Sequence, residues 1–362
     1  MRARPRNAVM LIAHLDLDAF YAACELLDHP EYAGRPLVVA GDPHGRGVVM
    51  TASYEARRYG IRSAMSAAEA LRRCPDAGFV RPSFDCYRGR SRLVWNWIRG
   101  RMECVEQIGI DEGYIELTET GTEPARARLA DLQQGLLRET QLSASIGCGG
   151  TKTVAKIASD FRKPAGLTVV SPEGSAAFLA PLELRALPGI GPWLEARLVE
   201  LGLRTIGDLA ALSDDALRQA ISGHVGRELR DRARGIDERR VDPHPQPPVS
   251  QGAEETFPRD LVSDAELEEW IDRLAESVWG RLTAKDLCAR TVTAKVRYSD
   301  FQTVTRSQTV REPLCSVEEL AVVARALLQK ALSSRRAPIR LLGVYTSTLC
   351  ERGEEIQIRL PL

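Results

Sequence analysis

The order of strand and helix patterns between residues 9 and 160 constrains the fold of this chain more than any other feature. Buried-strand and amphipathic-helix patterns alternate there, interrupted by a small α/β insertion at 35–81. With the insertion set aside, the order is β-α-β-β-α-β, which is that of a split βαβ unit and predicts an α/β (α+β) fold. In that topology the third strand lies antiparallel between the first and second, so the end of strand one lies beside the start of strand three.

This topology brings three acidic residues from distant parts of the chain to one sheet edge. Asp16 ends the predicted strand 9–16, and Asp111 and Glu112 precede the predicted strand 113–119. A tight turn is the alternative explanation for the acidic pair, because Asp favours turns. Converging carboxylates repel one another unless a cation binds them. Two Mg²⁺ ions, or Mn²⁺ in their place, with the Leu17 carbonyl as a further ligand, would suit in-line attack at phosphorus.

Composition narrows the class of protein without identifying it. The chain has 362 residues, of which 44% are apolar, so it can form two or more domains with real cores. It contains no apolar run long enough to span a bilayer, and its eight cysteines lack zinc-site spacing. We therefore expect a soluble cytoplasmic protein with reduced thiols. Lys plus Arg equals Asp plus Glu at 49 each, so any DNA-binding surface must be local.

Four segments together resemble the signature blocks of Y-family translesion DNA polymerases, on the DNA polymerase IV (DinB) branch. They are "HLDLDAFYAACE" (14–25), "TASYEARRYGIRSAM" (51–65), "IDEGYIEL" (110–117) and "AKIASDFRKPAG" (155–166). The resemblance covers nearly the whole chain and implies a template-directed polymerase of right-hand architecture. No stretch of these residues is left over for a proofreading exonuclease, so we expect low fidelity. It further implies primer-template DNA and dNTP as partners and a monomeric enzyme.

The resemblance also implies roles for individual residues. Asp16, Asp111 and Glu112 match the catalytic carboxylates that hold two Mg²⁺. Tyr21 matches the steric gate that excludes a ribose 2′-hydroxyl, whereas Asp18 is interpreted as a helix cap rather than a ligand. The residues that match contacts to the incoming nucleotide are Phe20, Tyr21, Thr51, Tyr54, Arg57 and Lys163.

The expected domains follow the same resemblance. They are a palm at 1–20 and 82–174, fingers at 21–81, a thumb at 175–240, a linker at 241–250, a little finger at 251–350 and a tail at 351–362. In the thumb, "LRALPGIGPWLEARLVELGLRTIGDLAAL" (184–212) resembles a helix-hairpin-helix, with a simple αα-turn as the alternative. Five residues are expected to contact DNA: Gly189, Gly191, Lys295, Arg297 and Arg306.

The end of the chain, "QIRLPL", resembles the peptide by which bacterial polymerases dock on the sliding clamp. Gln357, Ile358, Leu360 and Leu362 are the expected contacts, and a final β-strand is the alternative. Two other functions remain open at this point: a catalytically inactive adaptor at the clamp, and a nucleotidyl cyclase on a similar palm. The sequence departs from the family pattern at Gly113, where Ala is common, and at Ala165, where Asn is usual.

Overall fold

A five-stranded sheet positions the acidic residues in the computed structural model, which describes residues 10–119, 121–221, 223–244 and 246–352. The strand order is β5-β6-β1-β7-β8. The strands are β1 (Ile12–Leu17), β5 (Cys104–Gln107), β6 (Glu112–Glu116), β7 (Ala144–Gly149) and β8 (Leu167–Val169). The predicted split topology is confirmed, because β6 lies antiparallel between β1 and β5. The short parallel strand β8 beside β7 was not predicted.

The two faces of this sheet have different roles. Helices α1 (Phe20–Asp28), α4 (Phe84–Arg99) and α5 (Thr122–Thr140) share one apolar core with Leu15 of β1. On the other face, α6 (Lys152–Asp160) packs across β1 and β7. Since side chains alternate along a strand, His14 and Asp16 point to the α6 face. Glu112 is opposite Asp16 in the ladder and shares that face.

The insertion forms its own small unit, as predicted. A three-stranded sheet in the order β3-β2-β4 packs with two short helices around a separate apolar core. Its elements are β2 (Leu37–Ala40), β3 (Val49–Ala52), α2 (Tyr54–Arg57), α3 (Ala67–Arg73) and β4 (Gly78–Val80), preceded by a 3₁₀ turn at Pro30–Tyr32.

A helical region follows the first sheet and then returns to it. It comprises α7 (Ser175–Leu179), a 3₁₀ turn at Leu184–Ala186, α8 (Pro192–Glu200), α9 (Ile206–Ala211), α10 (Asp214–Ala220) and α11 (Gly223–Ala233). After α11, Val241 is buried against Ile12 and Tyr114, and Asp237 accepts a hydrogen bond from Thr153 at 2.7 Å. The first residues of the expected linker are therefore part of the packed structure.

The chain divides into two compact units between Pro245 and Gln246. The second unit is an antiparallel sheet in the order β11-β10-β12-β9, with both helices packed on one face. Its elements are β9 (Ser250–Leu261), α12 (Asp264–Thr283), β10 (Leu287–Tyr298), β11 (Thr303–Leu314), α13 (Val317–Leu332) and β12 (Ile339–Glu351). No helix in the described part of the chain is long and apolar enough to cross a membrane.

Strand β9 was missed by the sequence analysis, and its composition explains why. Its sequence, SQGAEETFPRDL, is mostly polar and carries Pro258, so it shows neither a buried-strand run nor clean alternation. It lies at the sheet edge beside β12, the position at which a proline is tolerated within a sheet. Pairing with β12 therefore decides its conformation, and the local sequence does not.

The glycine at position 113 is required by packing. A β-carbon there would lie 2.6 Å from the Trp95 ring and 2.7 Å from the Glu106 carbonyl oxygen. We expect Gly113→Ala to lower the free energy of unfolding by about 1–3 kcal/mol through overpacking. Gly89→Ala is the matched control, because Gly89 lies in α4 with nothing within 4 Å, and it should stabilise by about 0.5–1 kcal/mol. Urea denaturation that ranks Gly113→Ala at or above wild type would contradict this.

Candidate active site

A polar pocket lies between the carboxyl end of β1 and the small insertion. It is lined by most of the predicted catalytic and nucleotide-binding residues, which the chain supplies from four separate segments. The lining residues are Asp16, Leu17, Ala19, Phe20, Tyr21, Met50, Thr51, Tyr54, Arg57, Ser63, Asp111 and Lys163. The structure thus brings together residues as distant in the chain as Asp16 and Lys163, which are 147 positions apart.

Two of the three predicted carboxylates face this pocket. Burial raises the pKa of Asp16, and the neighbouring Lys163 opposes that effect from 2.8 Å. Burial also raises the pKa of Asp111, and the negative charge of Asp16 raises it further. The Leu17 amide donates to the Asp111 carbonyl at 2.9 Å, which fixes the two strand ends to each other. The negative charge of the acidic groups in the pocket is therefore only partly balanced, and a bound cation would reduce the repulsion between them.

The third carboxylate, Glu112, lies beside Asp16 on the α6 face of the sheet but is not among the residues that line the pocket. Its Oε2 atom is hydrogen-bonded by Lys156 and lies 3.2 Å from His14 Nε2. The hydrogen bonds with His14 and Lys156 lower the pKa of Glu112 to about 2, although burial opposes this shift. His14 is itself buried, which lowers its pKa, and its Nδ1 lies 2.8 Å from the Ser159 hydroxyl.

The three predicted ligands therefore do not form one acidic cluster. Within the residues described by the structure, no three His, Cys, Asp or Glu side chains are grouped so that they could hold a metal ion. Asp16 and Asp111 offer the hard oxygen donors that Mg²⁺ prefers, and Leu17, whose carbonyl is the further expected ligand, also lines the pocket. This donor set fits a divalent cation, and Glu112 stands beside it in an ion pair with Lys156.

The pocket is also lined by cationic and hydroxyl groups. Lys163 bridges Asp16 and Asp160 at 2.8 and 2.7 Å. Burial alone would lower its pKa, but these two carboxylates raise the pKa of Lys163 to about 12, so it is a permanent cation. Arg57 stacks on the Tyr54 ring at 4.5 Å and donates to the Ala52 carbonyl at 3.1 Å. Such fixed positive charges and hydroxyls suit a triphosphate.

Tyr21 forms one wall of the pocket. Its ring stacks on Tyr87 with centroids 4.5 Å apart and meets the edge of Phe84 at 6.2 Å. The ring is therefore fixed by neighbours on α4 rather than mobile. Phe20 lines the same pocket, yet only 2% of its surface is exposed and it belongs mainly to the core.

Asp18 has a structural role that the sequence analysis missed. It was interpreted as a helix cap, which is wrong: the cap of α1 is Ala19, without a side-chain hydrogen bond. The buried Asp18 carboxylate instead accepts from the Ser145 hydroxyl at 2.7 Å and the Ala165 amide at 2.9 Å. Tyr54 donates to it at 3.4 Å. Asp18 thus connects the strand end to the Lys163 loop and to the insertion.

The structure separates the basic residues expected to bind DNA. Lys295 and Arg297 of β10 point away from the helices, on a sheet face that we call the open face. Thr293 and Ser307 share it and are hydrogen-bonded at 2.7 Å. Arg306 is opposite the buried Ala294, so it points to the helix side, where it reaches Ser334 at 3.3 Å. The three cations therefore do not form one patch.

Of the two hairpin glycines, Gly189 has a left-handed backbone conformation and Gly191 an extended one. Gly189 has a φ of 105°, which favours glycine. Gly191 is the N-cap of α8, and a β-carbon added there would meet no atom within 4 Å. The four clamp residues expected at the end of the chain lie outside the described residues.

Three segments of the chain match known families. Residues 15–160 match the impB/mucB/samB family, residues 248–360 its C-terminal domain, and residues 185–237 the thumb domain of DNA polymerase-iota. DNA polymerase IV of Halorhodospira halophila is 42% identical over 95% of this chain and 96% of that protein. DNA polymerase IV of Alkalilimnicola ehrlichii is 44% identical over 93% of this chain and 95% of that protein.

Solved structures agree in fold. A chimera of the Y-family DNA polymerases Dbh and Dpo4 aligns with a TM-score of 0.87 at 24% identity, covering 95% of this chain and all of the chimera. An insertion ternary complex of Dbh DNA polymerase gives 0.65 at 25% identity, covering 93% of this chain and 98% of that one. The chain therefore belongs to the Y family of DNA polymerases. Its relatives place it on the DNA polymerase IV branch, and it is a DNA-directed DNA polymerase of translesion synthesis.

Proposed function

We propose that this enzyme extends a primer 3′-hydroxyl by templated, two-metal nucleotidyl transfer in the pocket between β1 and the insertion. The observation that carries this is the meeting of Asp16 and Asp111 with the cations Arg57 and Lys163 in one pocket. Carboxylates that would hold a divalent cation and fixed positive charges that would contact phosphate oxygens are the groups that phosphoryl-transfer sites use. The inactive-adaptor alternative has no use for this arrangement.

Mg²⁺ is the proposed cofactor. Asp16, Asp111 and the Leu17 carbonyl would hold it, with Glu112 as a further ligand once it leaves Lys156. Bound metal would activate the primer hydroxyl and neutralise charge on the triphosphate. Titration of wild type with Mn²⁺, followed by its magnetic resonance, should show binding that Asp16→Asn weakens at least about tenfold. Equal affinity in both proteins would show that the ions bind elsewhere.

The protein's own groups then position the nucleotide. Thr51, Tyr54, Arg57 and Lys163 would contact the phosphates, and Lys163 remains charged because Asp16 and Asp160 flank it. The fixed ring of Tyr21 would lie under the sugar. As the family resemblance implies, we propose that the synthesis is of low fidelity and that the enzyme acts as a cytoplasmic monomer.

The open face of the second unit is the proposed surface for the DNA backbone. Lys295 and Arg297 lie among hydroxyl side chains there, and such groups bind phosphates without reading bases. Lys295 is also paired with Glu254 at 2.6 Å, which leaves Arg297 as the stronger candidate.

Arginine substitutions on the two faces of the sheet should differ in salt dependence. We expect Arg297→Ala to weaken primer-template binding and to reduce the slope of log affinity against log salt by about one. Arg306→Ala removes the same charge from the helix side and should leave the slope unchanged. Fluorescence anisotropy between low and physiological salt measures both. A larger effect from Arg306→Ala would place the DNA on the other face.

The segment 357–362 is the proposed tether to a sliding clamp. An extended peptide can place Ile358, Leu360 and Leu362 in an apolar groove while Gln357 hydrogen-bonds at its edge. Removal of these six residues should leave extension on short oligonucleotides unchanged. It should also abolish stimulation by a loaded clamp, since tethering could raise effective affinity by roughly 10²–10⁴. Undiminished stimulation, or loss of activity on bare DNA, would contradict the tether.

A further inference from the structure

Three cysteines meet at one end of the sheet in the second unit. Cys288 lies in β10, and Cys350 is its partner in the neighbouring strand β12. On the other side, Ala289 is opposite Leu314 of β11. Cys288 precedes Ala289, and Cys315 follows Leu314, the last residue of β11, so both cysteines lie next to this pair at the end of the ladder.

The sulphur atoms of Cys288 and Cys315 are already close, at a separation of 3.5 Å. An S–S bond is about 2.0 Å long, so closing this pair requires the two sulphur atoms to approach each other by only roughly 1.5 Å. The Cys350 sulphur instead lies near the backbone of Cys288, 4.0 Å from its carbonyl oxygen.

The two thiols differ in access to solvent. Cys315 is exposed, whereas Cys288 is only 1% exposed. Burial, and then the hydrogen bond with Cys315, raise the pKa of Cys288 to about 11, so this thiol stays protonated. Arg352 approaches the Cys315 carbonyl oxygen at 3.4 Å and adds positive charge beside the pair. A reagent from solution therefore meets Cys315 first.

We propose that Cys288 and Cys315 form a peroxide-sensitive dithiol that closes reversibly to a disulfide. The Cys315 thiolate attacks one oxygen of a hydroperoxide, the O–O bond breaks, and a sulfenic acid forms as hydroxide or alkoxide leaves. The Cys288 sulphur then attacks the Cys315 sulphur. The S–S bond forms, the S–O bond breaks, and the Cys288 proton leaves with the hydroxyl as water. A dithiol reductant reverses the change.

The test is thiol mapping of the full chain after treatment with hydrogen peroxide. The protein is alkylated without reduction, cleaved, and analysed by mass spectrometry. We expect a Cys288–Cys315 cross-linked peptide in wild type that disappears after dithiothreitol. Cys350→Ser is the matched control from the same cluster and should give the same cross-link.

Two further variants separate the steps. Cys288→Ser should leave a sulfenic acid on Cys315 that dimedone traps, and Cys315→Ser should give no cross-link to Cys288. Cys315 lies on the surface, so its variant should fold and, when reduced, extend primers like wild type. A Cys288–Cys350 bond, or Cys315 oxidised without any cross-link in wild type, would overturn the proposal.

Discussion

Replacement of Asp111 by Asn should reduce the rate of primer extension in Mg²⁺ by at least about 10³-fold. Stabilisation of transition-state charge by a metal ion is worth several kcal/mol, and each tenfold loss of rate corresponds to about 1.36 kcal/mol of activation free energy. Asn matches Asp in size but removes the negative charge of Asp111, which interacts with the negative charge of Asp16. Binding to primer-template DNA should remain within about twofold of wild type, since the pocket is distinct from the proposed DNA-gripping residues.

The control for this prediction is Asp131→Asn. Asp131 is an exposed residue of α5, and its loss changes net charge by the same amount without touching the pocket. Single-turnover extension and anisotropy on the same DNA separate chemistry from binding. Extension by Asp111→Asn at near the wild-type rate would remove Asp111 from the site.

Truncation of Tyr21 to Ala should raise ribonucleotide incorporation relative to deoxyribonucleotide by roughly 10²-fold, the range that pocket size can supply. The Tyr21 ring is packed against Tyr87 and the Phe84 edge, which restricts its movement away from a 2′-hydroxyl. Removing it should open the space that we propose lies under the sugar. Steady-state kcat/KM values for matched rNTP and dNTP measure the change.

Tyr21→Phe is the matched control because it keeps the ring and removes only the phenolic hydroxyl. Discrimination should stay near the wild-type level if the ring acts by its bulk. Unchanged discrimination in Tyr21→Ala would mean that Tyr21 only packs against α4. Loss of discrimination in Tyr21→Phe would mean that the hydroxyl, and not the ring, excludes the ribose.

The sequence was sufficient to place the acidic residues. The split topology follows from the order of the elements, and it puts the end of β1 beside the start of β6. Asp16 and Glu112 are accordingly direct partners in the ladder. The topology could be predicted because the order of the elements and the two-residue alternation of side chains are visible in the local sequence, and few topologies are compatible with them.

Features that depend on distant partners could not be predicted in this way. Two of the donors to Asp18, Ser145 and Ala165, are more than 120 positions away, and Tyr54 lies in the insertion, so nothing beside Asp18 in the sequence shows that it connects these segments. Glu112 was expected among the metal ligands, and nothing near it in the sequence shows that Lys156 of α6 is its hydrogen-bond partner. Arg306 was grouped with Arg297, yet the register of β11 places it on the other face.

The backbone conformation of Ala165 is another feature that the local sequence does not predict. Its φ is 53°, a left-handed conformation that Asn or Gly adopts more readily than Ala. The departure from the Asn of the family pattern is visible in the sequence, but its conformational cost is not. The amide of Ala165 donates to Asp18, which holds the loop in this conformation.

The most direct test of the account is single-nucleotide incorporation by the wild-type enzyme opposite each of the four template bases in Mg²⁺. We predict that the complementary dNTP is preferred in every case, that chelation of the metal stops the reaction, and that Asp16→Asn and Asp111→Asn both abolish it. Incorporation that ignores the template base, or that survives in both variants, would contradict the assignment of templated synthesis to this pocket.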